Sequence, residues 1–166
     1  MPEAIIQYAV NSTLGTENFK ALDKLLIDFI EGNKAFVGSD ATIGTFPSAN
    51  FSAGASGGGR KTIGFFTPKY NGALRLYATI SKSRNQYGGT AGVSIYEYTD
   101  SGNVHKGGVS TSSTTPETKS SDFSITKGNK YYVSFSAGSD GGSASNIRLC
   151  GTLQDINNAI EFEVIN

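Results

Sequence analysis

Beyond residue 32 the apolar residues recur at every second position, and a chain patterned that way has to form strands. Leu74, Leu76, Ala78 and Ile80 alternate with Arg75, Tyr77 and Thr79, and Val93 and Ile95 alternate with Ser94 and Tyr96. Tyr131, Val133 and Phe135 alternate with Tyr132, Ser134 and Ser136, and Ile160, Phe162 and Val164 alternate with Glu161 and Glu163. Successive strand residues point to opposite faces, so each run has one core face and one wet face. Weaker runs at 5–10, 34–37, 41–46, 62–67, 123–126 and 146–149 bring the expectation to about nine or ten strands. Turn signals separate them: Asn71-Gly72, Gly88-Gly89, Asp100-Ser101-Gly102-Asn103, Lys127-Gly128-Asn129, and the stretch 138–142. No helical period interrupts the series, which excludes a doubly wound α/β sheet. The expected fold is mainly β, an antiparallel, jelly-roll-like β-sandwich with one N-terminal amphipathic α-helix.

Gly, Ser and Thr make 56 of the 166 residues, a level at which disorder has to be weighed. Balanced charge, 14 bases against 14 acids, together with ten Phe and eight Tyr, argues for a packed core instead. Much of the small polar material falls at 48–59 and 109–121, which read as two long loops. One cysteine excludes a disulfide scaffold, and Cys150, within Ile147-Arg148-Leu149-Cys150, reads as a buried thiol.

The helix is expected between Thr16, a good N-cap, and Gly32, placed where a C′ glycine belongs. Phe19, Leu22, Leu26 and Phe29 recur at helical spacing and form an apolar stripe. Two readings follow: a helix packed on its own sheet, or a short seam between copies of the chain. The chain thus divides into residues 1–32, a strand and helix for oligomerisation or attachment, and residues 33–166, the sandwich. Met1 to Val10 carries neither the basic start nor the apolar run of a secretion signal, and no stretch is apolar enough to span a membrane.

The chemical motifs are weak. Gly54-Ala55-Ser56-Gly57-Gly58 matches a nucleophile elbow, but no helix pattern follows it, and the single histidine, His105, lies in a turn-rich stretch. Gly57-Gly58-Gly59-Arg60-Lys61-Thr62 lacks the Gly-Lys-Thr of a phosphate loop, because Arg60 intervenes. One His and one Cys make no zinc set, and Asp140, in Gly138-Ser139-Asp140-Gly141-Gly142, reads as part of a flexible turn rather than a calcium loop. No catalytic residue, metal or cofactor is expected, and the chain does not read as an enzyme. Glu97 reads as a solvated edge residue. Residues 51–110 hold seven bases against two acids, a bias that suits an anionic partner or a solvated loop face. No groove-reading motif accompanies it, so nucleic acid is not expected as a partner. Tyr77, Tyr96 and Tyr98 fall on the wet faces of their strands, and Arg84-Asn85-Gln86-Tyr87 forms a polar tip. A tyrosine offers a flat apolar ring with a polar handle, which suits a saccharide face, an interface or a second sandwich layer. Arg84, Tyr87, Tyr96 and Tyr98 are therefore the candidate surface.

The helix stripe leads into a Gly/Ser/Thr-rich sandwich carrying Phe123-Ser124-Ile125-Thr126-Lys127-Gly128-Asn129-Lys130-Tyr131-Tyr132-Val133, in the manner of a strand–Lys-Gly-Asn–strand hairpin. In this the chain resembles tail-tip and baseplate proteins of siphophages of Gram-positive hosts, in particular the shoulder domain of lactococcal phage receptor-binding proteins. The resemblance implies a non-enzymatic virion component, made in the host cytoplasm and mounted in the phage tail. It also implies a homotrimer joined through Phe19, Leu22, Leu26 and Phe29, with other tail proteins as partners and host cell-wall polysaccharide as a surface it touches. The other reading is a stand-alone carbohydrate-binding module for a wall saccharide.

Overall fold

The structure is a computed structural model, and it describes residues 41–54, 58–151 and 161–163. Among these residues all regular structure is strand, in ten segments: β1 Ala41–Thr45, β2 Ala49–Phe51, β3 Gly59–Thr67, β4 Gly72–Lys82, β5 Ala91–Thr99, β6 Gly102–Thr111, β7 Glu117–Ile125, β8 Tyr131–Ala137, β9 Gly142–Gly151 and β10 Glu161–Glu163. The expected helix at 16–32, its stripe Phe19, Leu22, Leu26 and Phe29, and the runs 5–10 and 34–37 lie outside the described residues.

The first sheet has the order β1-β9-β4-β7, with β2 also on β9; the second has the order β10-β3-β8-β5-β6, and every pairing is antiparallel. Setting aside β2 and β10, this leaves four strands on each sheet in jelly-roll order. Among the described strands only the β5–β6 connection joins neighbours in one sheet; the links from β3 to β4, β4 to β5, β6 to β7, β7 to β8 and β8 to β9 cross between sheets.

The alternation dictates the core. Leu74, Leu76, Ala78 and Ile80 on β4 face Val93 and Ile95 on β5 and Val133 and Phe135 on β8 in one buried cluster. Rings bridge the sheets. Phe66 stacks on Tyr131 at 5.1 Å and meets Phe123 of the opposite sheet edge-on at 6.3 Å. Tyr131 is fully buried, and its hydroxyl accepts a hydrogen bond from Thr126 N at 2.8 Å, so its polar tip is satisfied.

Four expectations need correction. The Phe123–Val133 segment is not a hairpin: β7 and β8 belong to different sheets, because Phe123 and Tyr131 reach Phe66 from opposite sides of the core. The loop at 48–59 contains β2, whose Phe51 stacks on Phe135 at 5.6 Å. The loop at 109–121 is mostly strand, the end of β6 and the start of β7. β6 was not expected: the stretch around His105 reads as turn-rich, and Gly107 and Gly108 interrupt any apolar alternation along it. Gly108 is needed for close approach: a Cβ there would lie 2.7 Å from Val93 O across the ladder.

Candidate functional site

The outer face of the second sheet gathers aromatic rings across four strands. Register sets Tyr96 of β5 opposite Tyr132 of β8 and His105 of β6, and sets Tyr132 opposite Phe65 of β3. The Tyr96 and Tyr132 rings stack at 5.1 Å with 12° between planes, His105 meets Tyr96 edge-on at 5.2 Å, and Phe65 lies 6.2 Å from Tyr132. A register shift between Ile95 and Tyr96 leaves Lys106 bulged out of the ladder and brings His105 opposite Tyr96.

Two cations ride on this row. Lys130 Nζ is 4.5 Å from the Phe65 ring centre, and Arg60 Cζ is 5.0 Å from that of Tyr96. Arg60 sits opposite Ser136, on the far side of β8 from Tyr96, so its guanidinium crosses β8 to reach the ring. Ser134 lies on that diagonal and is 1% exposed, although alternation assigns it, with Tyr132, to a wet face. That expectation is corrected: the outer face of β8 is covered by the side chains of its neighbours.

Burial raises the Tyr132 phenol above its ordinary range, the Tyr96 and Tyr98 phenols add to that, and the Arg60 guanidinium opposes it. Tyr96 is half-buried between its neighbours, whereas Tyr98, two residues on along the same face, is 60% exposed. Beside them Glu97 departs from the solvated edge expected of it. Its side chain is 12% exposed, accepts a hydrogen bond from Asn129 Nδ2 and lies 3.1 Å from Lys106 Nζ, and these two groups, Asn129 foremost, hold its carboxyl below the ordinary range.

Arg84 and Tyr87 occupy a different place, the loop before β5. Arg84 Cζ stacks 5.0 Å from the Tyr87 ring centre, and Tyr87 is 57% exposed. Tyr98 stands near the other end of β5, so roughly 25 Å of strand separates the two exposed tyrosines at about 3.3 Å per residue. The four candidate residues are thus divided into two pairs.

Below the loop lies the largest departure from expectation. Asp140 is no flexible turn residue. Its Oδ2 lies 2.9 Å from Lys82 Nζ with both side chains 1% exposed, and its Oδ1 accepts hydrogen bonds from Gln86 N at 3.0 Å and Tyr87 N at 2.8 Å. Lys82 Nζ also donates to Asn85 Oδ1 at 3.0 Å. Burial pushes the Asp140 carboxyl up, but Lys82 and the two backbone donors outweigh it and leave the group at about 2.

The basic middle of the chain does not form one patch. Lys82 is buried on Asp140, Lys106 pairs with Glu97, and Arg75 pairs through two bonds with Asp122, at 2.5 and 2.9 Å. Cys150 is buried, as expected. Ser56 of the elbow motif lies outside the described residues, and His105 is part of β6. Among the described residues no cluster of His, Cys, Asp and Glu could hold a metal. Sequence reading missed Arg60, Tyr132 and Phe65, because only strand register shows which residues face Tyr96.

No family model matches the chain, and no curated protein matches it. Solved structures give weak likenesses. A protein described as "Family 16 Carbohydrate Binding Module-2" matches at TM-score 0.40 and 16% identity, over 70% of this chain and 99% of its own. "CBM35 from Cellvibrio japonicus Abf62" matches at 0.41 and 16%, over 76% and 88%. A carbohydrate binding module (CBM6cm-2) from Cellvibrio mixtus lichenase 5A, in complex with cellotriose, matches at 0.40 and 13%, over 68% and 99%. What those proteins bind is a property of theirs; the function of this chain has to be argued from its own side chains.

Proposed function

We propose that this chain is a non-enzymatic binding module whose ligand is a saccharide, held on the outer face of the second sheet with Tyr98 as the exposed platform. One observation supports this above the others. Tyr96 and Tyr98 of β5 and Tyr132 of β8 share the outer face of one sheet, with the Tyr96 and Tyr132 rings stacked at 5.1 Å and the Arg60 guanidinium 5.0 Å from the Tyr96 ring centre. A sugar presents C–H faces that pack on an aromatic ring and hydroxyls that need donors and acceptors, and this surface supplies both. The enclosed Tyr96–Tyr132 stack fixes the geometry, so little ordering is left to be done on binding.

Titration with purified Gram-positive wall polysaccharide tests the reading. Tyr98→Ala is expected to weaken binding about tenfold, equivalent to about 1.4 kcal/mol, and Arg60→Ala to weaken it as well. Tyr87→Ala should leave it unchanged. Loss of binding in Tyr87→Ala alone would move the site to the loop, and absence of binding to every wall fraction would remove the proposal. A place in a phage tail tip and a trimer built on Phe19, Leu22, Leu26 and Phe29 are further proposals, supported by the resemblance of the sequence. The particle mass in light scattering tests the trimer, and a clean monomer at micromolar concentration would end it.

A further inference from the structure

The opposite side of the sandwich holds a cleft with a different chemistry. Two bulges flank it, one in each of a pair of adjacent strands. On β1 the register slips between Thr42 and Gly44, so Thr42 and Thr45, three residues apart, come to face the same side opposite Cys150 and Arg148. On β9 the slip against Tyr77 and Thr79 sets Ile147 and Asn146 together against Ala78, and Asn146 takes the left-handed conformation, φ 50°. Bulges re-aim side chains, and asparagine tolerates this φ better than most residues because its amide can bond locally. Between the bulges opens a cavity of about 410 Å³, in the range of small-ligand sites. Phe46 and Ile147 are its buried floor, and Thr42, Thr45, Ser48 and Asn146 are exposed around it.

Arg148 lines this cleft. Its guanidinium carbon lies 4.8 Å over the Tyr77 ring centre, a cation–π contact that restrains it. Its Nε is shielded from solvent and has no hydrogen-bond partner among the described residues, and no described carboxylate lies within ion-pair distance of it. Arg75, one strand over on the same face, shows the satisfied alternative, with its two bonds to Asp122. A guanidinium set against a ring, with no described carboxylate near it and lining a cleft whose other walls carry hydroxyl and amide groups, is suited to grip an oxyanion on a hydroxyl-rich molecule.

We infer that the β1–β9 cleft is a binding site for a small hydroxylated anion, gripped by Arg148 through a carboxylate or phosphate. It is separate from the Tyr98 surface, on the other sheet, and stands or falls independently of it.

The test is titration followed by backbone amide shifts, with sodium glucuronate and glycerol phosphate as the two sources of oxyanion and glucose as the neutral probe. At least one anion should bind in the millimolar range, moving the amides of Thr45, Asn146 and Arg148, and glucose should not move them. A response to one anion alone names its group. Arg148→Gln should weaken binding about tenfold or more, whereas Tyr98→Ala should leave it unchanged. Arg148→Lys, which keeps the charge but not the planar fork, should lie between wild type and Arg148→Gln. Unshifted amides with both anions at about 20 mM, or undiminished binding in Arg148→Gln, would overturn the inference. If Arg148→Gln loses its fold, Thr45→Val, which removes one hydroxyl at the exposed rim, takes its place: weakened binding supports the site, and unchanged binding counts against it.

Discussion

The two places that hold exposed tyrosines are built in opposite ways. Tyr98 stands on β5, a strand paired on both sides within a five-stranded sheet, beside rings that lock one another by stacking. Tyr87 stands on a loop, and what holds that loop is a buried charge, with Asp140 taking Lys82 on one oxygen and two backbone N–H groups on the other. The same residue type is held by packing in one place and by electrostatics in the other. The difference shows in what each depends on. Ladder hydrogen bonds and ring contacts are indifferent to mild acid, whereas a buried carboxylate works only while it is charged.

The sharpest way to break the comparison is to remove the cation. Lys82→Met leaves the buried Asp140 with only the longer contact to Arg84, 3.8 Å away, and is expected to cost about 3 kcal/mol in denaturant unfolding. Lys82→Met combined with Asp140→Leu should recover part of that loss, since no uncompensated charge remains, but Gln86 and Tyr87 N–H then lack their acceptor and the loop should lose order. If Lys82→Met proves neutral, the pair does not hold the loop.

Acid is the gentler tool. The Asp140 carboxyl lies at about 2, below an unfolded value of about 3.9. Folding therefore favours its ionised form, and its contribution is complete above about pH 4 and fades as the pH falls toward 2. Amide signals of Gln86 and Tyr87 should shift over that range, and those of Val93 and Ile95, inside the β5 ladder, should not. Simultaneous loss of both sets would mean that the loop has no separate electrostatic support. The smallest effect is expected from Tyr98→Ala, within about 0.5 kcal/mol of wild type in stability because the ring is exposed. A larger loss would show that Tyr98 belongs to the packed row rather than to a binding surface.

The parts of this structure that were legible in the sequence are those in which one strand speaks for itself. Leu74 to Ile80 could be assigned to a core face, and Tyr77, Tyr96 and Tyr98 to the opposite one, because alternation is local. Only the end of strand β7 was legible, as the run 123–126, and its first part was not for the reverse reason: Thr118, Ser120 and Asp122 face outward, and only Phe123 and Ile125 are buried along it, so no apolar rhythm marks its first half. Strand β6 was hidden by glycines that serve close packing rather than a turn. The candidate site was half legible. Tyr96 and Tyr98 could be named, but Arg60 and Tyr132 join them only through pairing across β8. The Lys82–Asp140 pair joins residues 58 positions apart, which neither composition nor spacing signals.

Strand order also has a consequence for how the chain must come together. Strand β9 is the hydrogen-bonding partner of β1, β2 and β4, yet it is made after all of them. As the protein leaves the ribosome, the described strands of the first sheet can form only the β4–β7 pair until residues 142–151 have emerged. Among the described strands only β5 and β6 can zip together as a neighbouring hairpin; every other described pairing closes a longer stretch of chain. Such a topology places this protein among slow folders, with its strand edges open to other chains for longest at the moment of synthesis.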